Sequence, residues 1–371
     1  MASHHRVTAF AAIAVLAGAC ARDRRPYEVA MRDAIHEGDA PGIAVARIRD
    51  GRITLQTEGV ADVTRGTPVT PDTAFMYFSV TKLFTAAAVM QLVERGAVGL
   101  DDPIERHVAL PIGDGARITV RHLLAHTSGL PNPFPISWVH LESEEGPALE
   151  ELTTRLLRAH PRLRFEPGSR YGYSNLGYLV LGVLVERRSG LPFEAYVTRH
   201  VLEPLGMRST GFDFDGKRLA TGYYRRSSML NQAMRLVVDG RLYGPRAGRF
   251  GAFRRFLVDG APYGGLVGSC ADLARFAAAL AGDGSFEGAR ILTPASAAAM
   301  REPQRTPDGE ALPAGLGWRY GETDGSPDLR SVGGGGGFKT EVRVRLDGRG
   351  AVVCANETLF DTGPLAAAAL R

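Results

Sequence analysis

Ser79-Val80-Thr81-Lys82 is the stretch on which the reading of this chain turns, because lysine is otherwise nearly absent. Of 44 basic residues only Lys82, Lys217 and Lys339 are lysines. A serine and a lysine three residues apart, at the head of the apolar run Thr81 to Arg95, lie one helical turn apart on the same face. A serine just ahead of a helix presents its hydroxyl to a cleft while the following turns anchor it in the core. Partial burial and the helix N-terminus both disfavour a charged Lys82, which would let the amine take or relay the serine proton. Taken alone, the spacing is equally served by a capping serine and a lysine whose head reaches back to water.

Further along, Tyr173-Ser174-Asn175 follows the turn Pro167-Gly168 and precedes an apolar helix from Leu176 to Arg188 that stops near Gly190. A tyrosine there can share a proton with a serine-lysine pair, and an asparagine amide can orient the lysine or a substrate carbonyl. The structural alternative is concrete: Asn175 caps the helix and Tyr173 packs in the core. A third helix is expected over Asp272 to Leu280, with Asp272 as its cap. At the two ends, Ile43 to Ile48 and Ile53 to Glu58 flank Asp50-Gly51, and Thr340 to Leu346 and Ala351 to Asn356 flank Asp347-Gly348. Both read as antiparallel hairpins. Val342, Val344 and Leu346 alternate with Glu341, Arg343 and Arg345, the pattern of a half-solvated strand. Pro364 to Leu370 reads as a terminal helix. Strands at both ends with helices between them predict that the termini meet in one sheet.

Composition bounds the function. The chain has 371 residues, 44% hydrophobic and 23% charged, with a formal charge of +4, which describes an enzyme-sized globular protein. Arginines are interspersed with carboxylates over most of its length without a sustained basic block, which argues against nucleic acid as a partner. His4-His5-Arg6, the apolar run Val7 to Leu16 and the small residues before Cys20 read as an export signal over residues 1–21, ahead of a domain at 27–371. The run is too short for a membrane span. Simple cleavage and lipidation of Cys20, which would attach the protein to a membrane, are both open; the expected location is periplasmic, secreted or membrane-anchored. Cys270 and Cys354 make no disulfide framework and read as small buried side chains. His107, His122 and His140 lack metal-ligand spacing.

Together the motifs resemble the serine beta-lactamase and penicillin-binding-protein superfamily, in the branch similar to class C beta-lactamases and family VIII carboxylesterases. The resemblance runs from Ala40 to Asn356. It rests on Phe78-Ser79-Val80-Thr81-Lys82, Arg121 to Leu130 with His126-Thr127-Ser128-Gly129, Pro167-Gly168 leading to Tyr173-Ser174-Asn175-Leu176-Gly177-Tyr178, Gly264-Gly265-Leu266 ahead of Asp272 to Phe276, and Gly337-Phe338. It implies an α/β (α+β) fold, an antiparallel sheet flanked by helices with a mainly helical second lobe. It further implies acyl transfer at Ser79, with Lys82 and Tyr173 as coupled base and acid and Asn175 positioning lysine and substrate. Backbone amides of Ser79 and of the edge strand near Gly334 would form an oxyanion hole. No metal or cofactor is implied, and His126 belongs to a structural loop.

One departure carries information about substrate. Counting back from Gly337-Phe338 sets the third family motif, a lysine or histidine followed by a small residue and glycine, on Ser331-Val332-Gly333. The cation that orients a substrate carboxylate is missing at Ser331. Lys339-Thr340 is followed by Glu341 and reads as a strand start, while Arg330 is close enough in sequence to reach the substrate. An ester needs no carboxylate clamp, and Phe78, Phe134 and Trp138 are candidate lining for a neutral acyl chain. The expected activity is therefore hydrolysis of carboxylic esters. A D-amino-acid peptidase, a weak beta-lactamase, or an inactive cell-wall-binding or regulatory relative are the alternatives. The expected partner is a small ester, amide or peptide; oligomeric state is not legible.

Overall fold

In the computed structural model residues 25–112 and 118–371 are described, so the export-type segment with Cys20 lies outside the described residues. The main sheet contains β1 (Gly42–Arg49), β2 (Arg52–Asp62), β3 (Thr67–Pro68), β4 (Arg319–Thr323), β5 (Ser326–Gly335), β6 (Phe338–Val344) and β7 (Gly350–Ala355). They are arranged in the order β4-β5-β6-β7-β1-β2-β3. The chain ends do meet: β1 pairs antiparallel with β7, Ile43 opposite Ala355 and Ile48 opposite Gly350. The first hairpin closes Arg49 on Arg52 through Asp50 and Gly51, both left-handed at φ 52° and 72°. That is the backbone a two-residue hairpin needs to match strand twist, and Asp-Gly adopts it at low cost.

Strand β1 is apolar on both faces because both are covered. Ile43 and Val45 face helices α1 (Tyr27–Glu37) and α5 (Gly363–Leu370), while Ala44, Ala46 and Ile48 face the main core and α4 (Cys270–Ala281). The two cysteines are free and buried, Cys270 at the head of α4 and Cys354 on β7. The alternation in β6 does not mark a solvated face. Glu341 and Arg343 are buried, bonded to each other and to the hydroxyls of Thr362 and Thr323. Leu346 falls beyond the strand and is exposed.

Between the ends of the sheet lies the helical lobe. Helix α2 (Thr81–Glu94) is buried from Thr81 to Leu92, and α3 (Asn175–Ser189) from Asn175 to Val185. Helices apolar all round belong in the middle of a lobe. Asn175 is not the cap of α3: the Ser174 hydroxyl accepts from Gly177 N at 3.1 Å. Nor does Asp272 cap α4. Ser269 does, and the Asp272 carboxylate instead accepts from Ser209 N and Thr210 Oγ1, tying a distant loop to the helix. Short strands at Tyr223–Arg225, Tyr243–Ala247, Phe250–Phe253 and Phe256–Val258, which the periodicity did not announce, build one side of the cleft.

Candidate active site

The serine turn is shaped by its backbone. Strand Thr73–Met76 runs into Tyr77, whose N–H donates to Leu266 O at 2.9 Å, and Phe78 then takes φ +46° before the 3-10 turn Phe78–Val80 opens α2. A bulky residue at positive φ is strained and persists only where its surroundings hold it. Here the Phe78 ring packs near Phe256, centroids 6.4 Å apart, and strand β5 presses on the turn. A Cβ at Gly333 would sit 2.0 Å from Tyr77 O and 2.9 Å from Ser79 N. Gly333→Ala is therefore expected to push β5 off the serine turn. It should lower kcat by on the order of 10²-fold if donors beside Ser79 are displaced, and destabilise by about 1–3 kcal/mol, read from kinetics and a denaturant melt.

Lys82 lies within the first turn of α2 and is 2% exposed. Its Nζ is 3.2 Å from Ser79 Oγ and donates to the Tyr263 carbonyl at 2.8 Å. The rings of Tyr173, Tyr263 and Tyr178 surround it, their centroids 5.0, 5.3 and 5.7 Å from the nitrogen. No carboxylate is bonded to it among the described residues, and burial drives its pKa well below that of an ordinary lysine. From across the cleft, Tyr173 Oη donates to Ser79 Oγ at 2.8 Å; burial pushes this phenol well up, so it stays neutral at physiological pH.

The carbonyl holding Lys82 was not legible in the sequence, because every residue has one. It is positioned by docking of α2 on the segment 261–266: Thr85 Oγ1 donates to Pro262 O at 2.6 Å and Leu266 N donates to Thr81 Oγ1 at 3.2 Å. Asn175 lines the same cleft but is not bonded to Lys82; its backbone N–H donates to Asn132 Oδ1 at 2.9 Å, and its own Oδ1 is buried without a partner. His126, at φ +57°, accepts from Ser174 N through Nδ1 at 3.1 Å and packs on Tyr173 and Tyr178. Burial holds it neutral, and it is a wall of the cleft.

The cleft encloses about 740 Å³ and joins Ser79, Lys82, Tyr173 and Asn175 to Ser331, Gly333 and Gly334. Phe78 and Phe134 line it, as do Val139, Phe253 and Val258, whereas Trp138 is buried behind Tyr263. No aspartate or glutamate lines it among the described residues. Arg330, although on the wall, is held by Asp328 through Nε at 2.7 Å and by a second contact at 2.8 Å. Lys339 is inside β6, opposite Gly334, and lines the cleft together with Arg319 of β4. Lys339 sits near the start of β6, as expected, whereas Arg319 comes from β4, whose pairing with β5 sequence spacing does not show.

The family model for beta-lactamase matches residues 28–369. Over 206 residues the chain is 36% identical to esterase EstB of Burkholderia gladioli, the match covering 52% of each chain. Over 202 residues it is 29% identical to protein flp of Staphylococcus aureus (strain MW2), covering 52% of this chain and 40% of that one. The matches thus span about half or less of these curated relatives. Among solved structures, EstCE1, a hydrolase with promiscuous acyltransferase activity, superposes with a TM-score of 0.72 at 26% identity, over 93% of this chain and 96% of its own.

Proposed function

The chain belongs to the beta-lactamase family, and from that membership we propose that it is a serine acyl hydrolase of the branch similar to family VIII carboxylesterases and class C beta-lactamases, acting on carboxylic esters. The observation that carries this reading is the convergence of Lys82 Nζ and Tyr173 Oη on Ser79 Oγ inside a wall of tyrosine rings. An amine whose pKa burial lowers well below that of an ordinary lysine can act as a base toward the serine hydroxyl. It takes the hydroxyl proton as Ser79 Oγ bonds to the ester carbonyl carbon. On collapse the bond to the alkoxy oxygen breaks, and the proton passes from Lys82 by way of Tyr173 to the departing alcohol. Water then attacks the acyl carbon and gives its proton to the same pair. The acyl bond to Oγ breaks, Ser79 regains a proton, and acid leaves. The backbone N–H groups of Ser79 and Gly334 are the proposed oxyanion donors.

Preference for esters follows from the missing cation at Ser331, the apolar lining and the likeness to EstB. A second reading, hydrolysis of an amide or peptide bearing a carboxylate, is favoured by Arg319 and Lys339. Both line the cleft without a carboxylate partner among the described residues. The buried, unpartnered Asn175 Oδ1 suits a substrate N–H. A serine-directed phosphonate with intact-mass and peptide mapping, followed by a panel of p-nitrophenyl esters, D-amino-acid amides and a chromogenic cephalosporin, separates these readings. The expected result is an adduct on Ser79 and turnover of short esters. Turnover of amides alone, with KM raised in Arg319→Gln or Lys339→Gln, would move the assignment to the second reading. Absence of any adduct or turnover would leave a binding protein.

A further inference from the structure

The rim of the cleft carries a feature the hydrolytic reading does not use. Large apolar side chains exposed singly are ordinary, but clustered ones mark contact surfaces. Of the seven exposed among the described residues, Phe134, Leu230 and Val332 line the cleft, and Met229, Leu236 and Val237 lie beside the lining residues Leu230 and Val238 in the chain. Met229 and Leu236 are 88% and 87% exposed. The segment is pinned in place: Ser228 caps the helix Met229–Met234, and the buried Asn231 side chain donates to Arg225 O at 3.1 Å.

The same stretch is strongly basic. From Tyr223 to Phe256 there are eight arginines and one carboxylate, Asp239. Arg225, Arg241 and Arg255 are ion-paired with Asp39, Glu144 and Glu142. Arg235 and Arg246 are exposed and have no carboxylate partner among the described residues. We propose that this rim is a docking surface for an anionic lipid membrane, its apolar side chains entering the interface and its arginines meeting the headgroups. No helix of the described residues is long and apolar enough to cross a membrane, so the contact is peripheral. Charge selects the lipid over a second copy, since two such rims face to face would oppose arginine to arginine. The cleft mouth then opens at the interface, where an amphiphile can enter. The docking itself does not rest on the ester reading.

The test is co-sedimentation of the full chain with phosphatidylcholine vesicles and with vesicles containing phosphatidylglycerol. Wild type is compared with Leu236→Asp/Val237→Asp and with Arg235→Gln/Arg246→Gln, all retaining residues 1–24. Thermal melts confirm that these surface variants fold. At least tenfold tighter binding to the anionic vesicles is expected, weakened by 0.5 M salt and lost about tenfold in either double variant. Equal binding to both vesicle types, no binding, or variants that bind like wild type would overturn the proposal. Sedimentation velocity without lipid adds one more overturning outcome: an oligomer of wild type that the aspartate variant dissociates assigns the rim to a second copy.

Discussion

Ser79→Ala is expected to lower hydrolysis of p-nitrophenyl butyrate by on the order of 10⁴-fold or more and to abolish the phosphonate adduct. The size follows from the arrangement. Lys82 Nζ and Tyr173 Oη both lie within hydrogen-bond reach of one oxygen, 3.2 and 2.8 Å away, and neither has another acyl acceptor to activate once it is gone. Two other family-motif serines are committed elsewhere: Ser174 Oγ donates to Pro131 O and caps α3, and Ser128 Oγ accepts from Leu130 N. Residual turnover should therefore come from binding alone, with no burst of released nitrophenol. An adduct mapping to any other serine would remove Ser79 from its proposed role.

Lys82→Met is expected to cost about 10²–10⁴-fold in kcat while making the protein more stable at neutral pH. The sign follows from linkage. Burial places the folded-state pKa of Lys82 well below 10.5, so between the two values the unfolded chain binds a proton that the folded chain does not. Unfolding is favoured there by lowering pH, and stability rises as pH rises toward 10.5. Methionine fills nearly the same volume without a charge to desolvate. The variant should gain about 1 kcal/mol, about 1–2 °C in Tm, at pH 7. The gain should shrink toward pH 10.5. In wild type, kcat/KM should climb with pH to a plateau reached well before an ordinary lysine titrates. A wild type with no such rise, or a Lys82→Met chain less stable than wild type at every pH, would contradict a neutral, burial-tuned base.

Much of the fold is legible because it is written in short-range pattern. Asp50-Gly51 supplies the left-handed pair a hairpin turn needs, and the uninterrupted apolar runs after Lys82 and Asn175 mark helices buried on every side. Patterns fail where burial is shared. Glu341 and Arg343 look solvent-facing, yet each satisfies the other inside the protein. Likewise, Asn175 and Asp272 read as caps from their positions, whereas Ser174 and Ser269 hold the orphan amides. Capping is a contest between neighbours one to three residues apart, and composition alone does not rank them.

Within the site, the sequence by itself determined the pairing of Ser79 with Lys82, since one helical turn fixes both on one face whatever surrounds them. It also marked Tyr173 as a partner and Ser331 as a position without a cation, both through motif order. Only the tertiary structure decided the state of the lysine. Burial among the tyrosines at 173, 178 and 263, groups far apart in the chain that exclude water together, drives its pKa well below that of an ordinary lysine. Folding likewise brought Arg319, directly opposite Arg330 on the neighbouring strand, and Lys339 to the cleft wall, and left Arg330 held by Asp328. Spacing along a helix is a local property of the chain, whereas dielectric and charge pairing depend on everything within a few ångströms, which folding alone brings together.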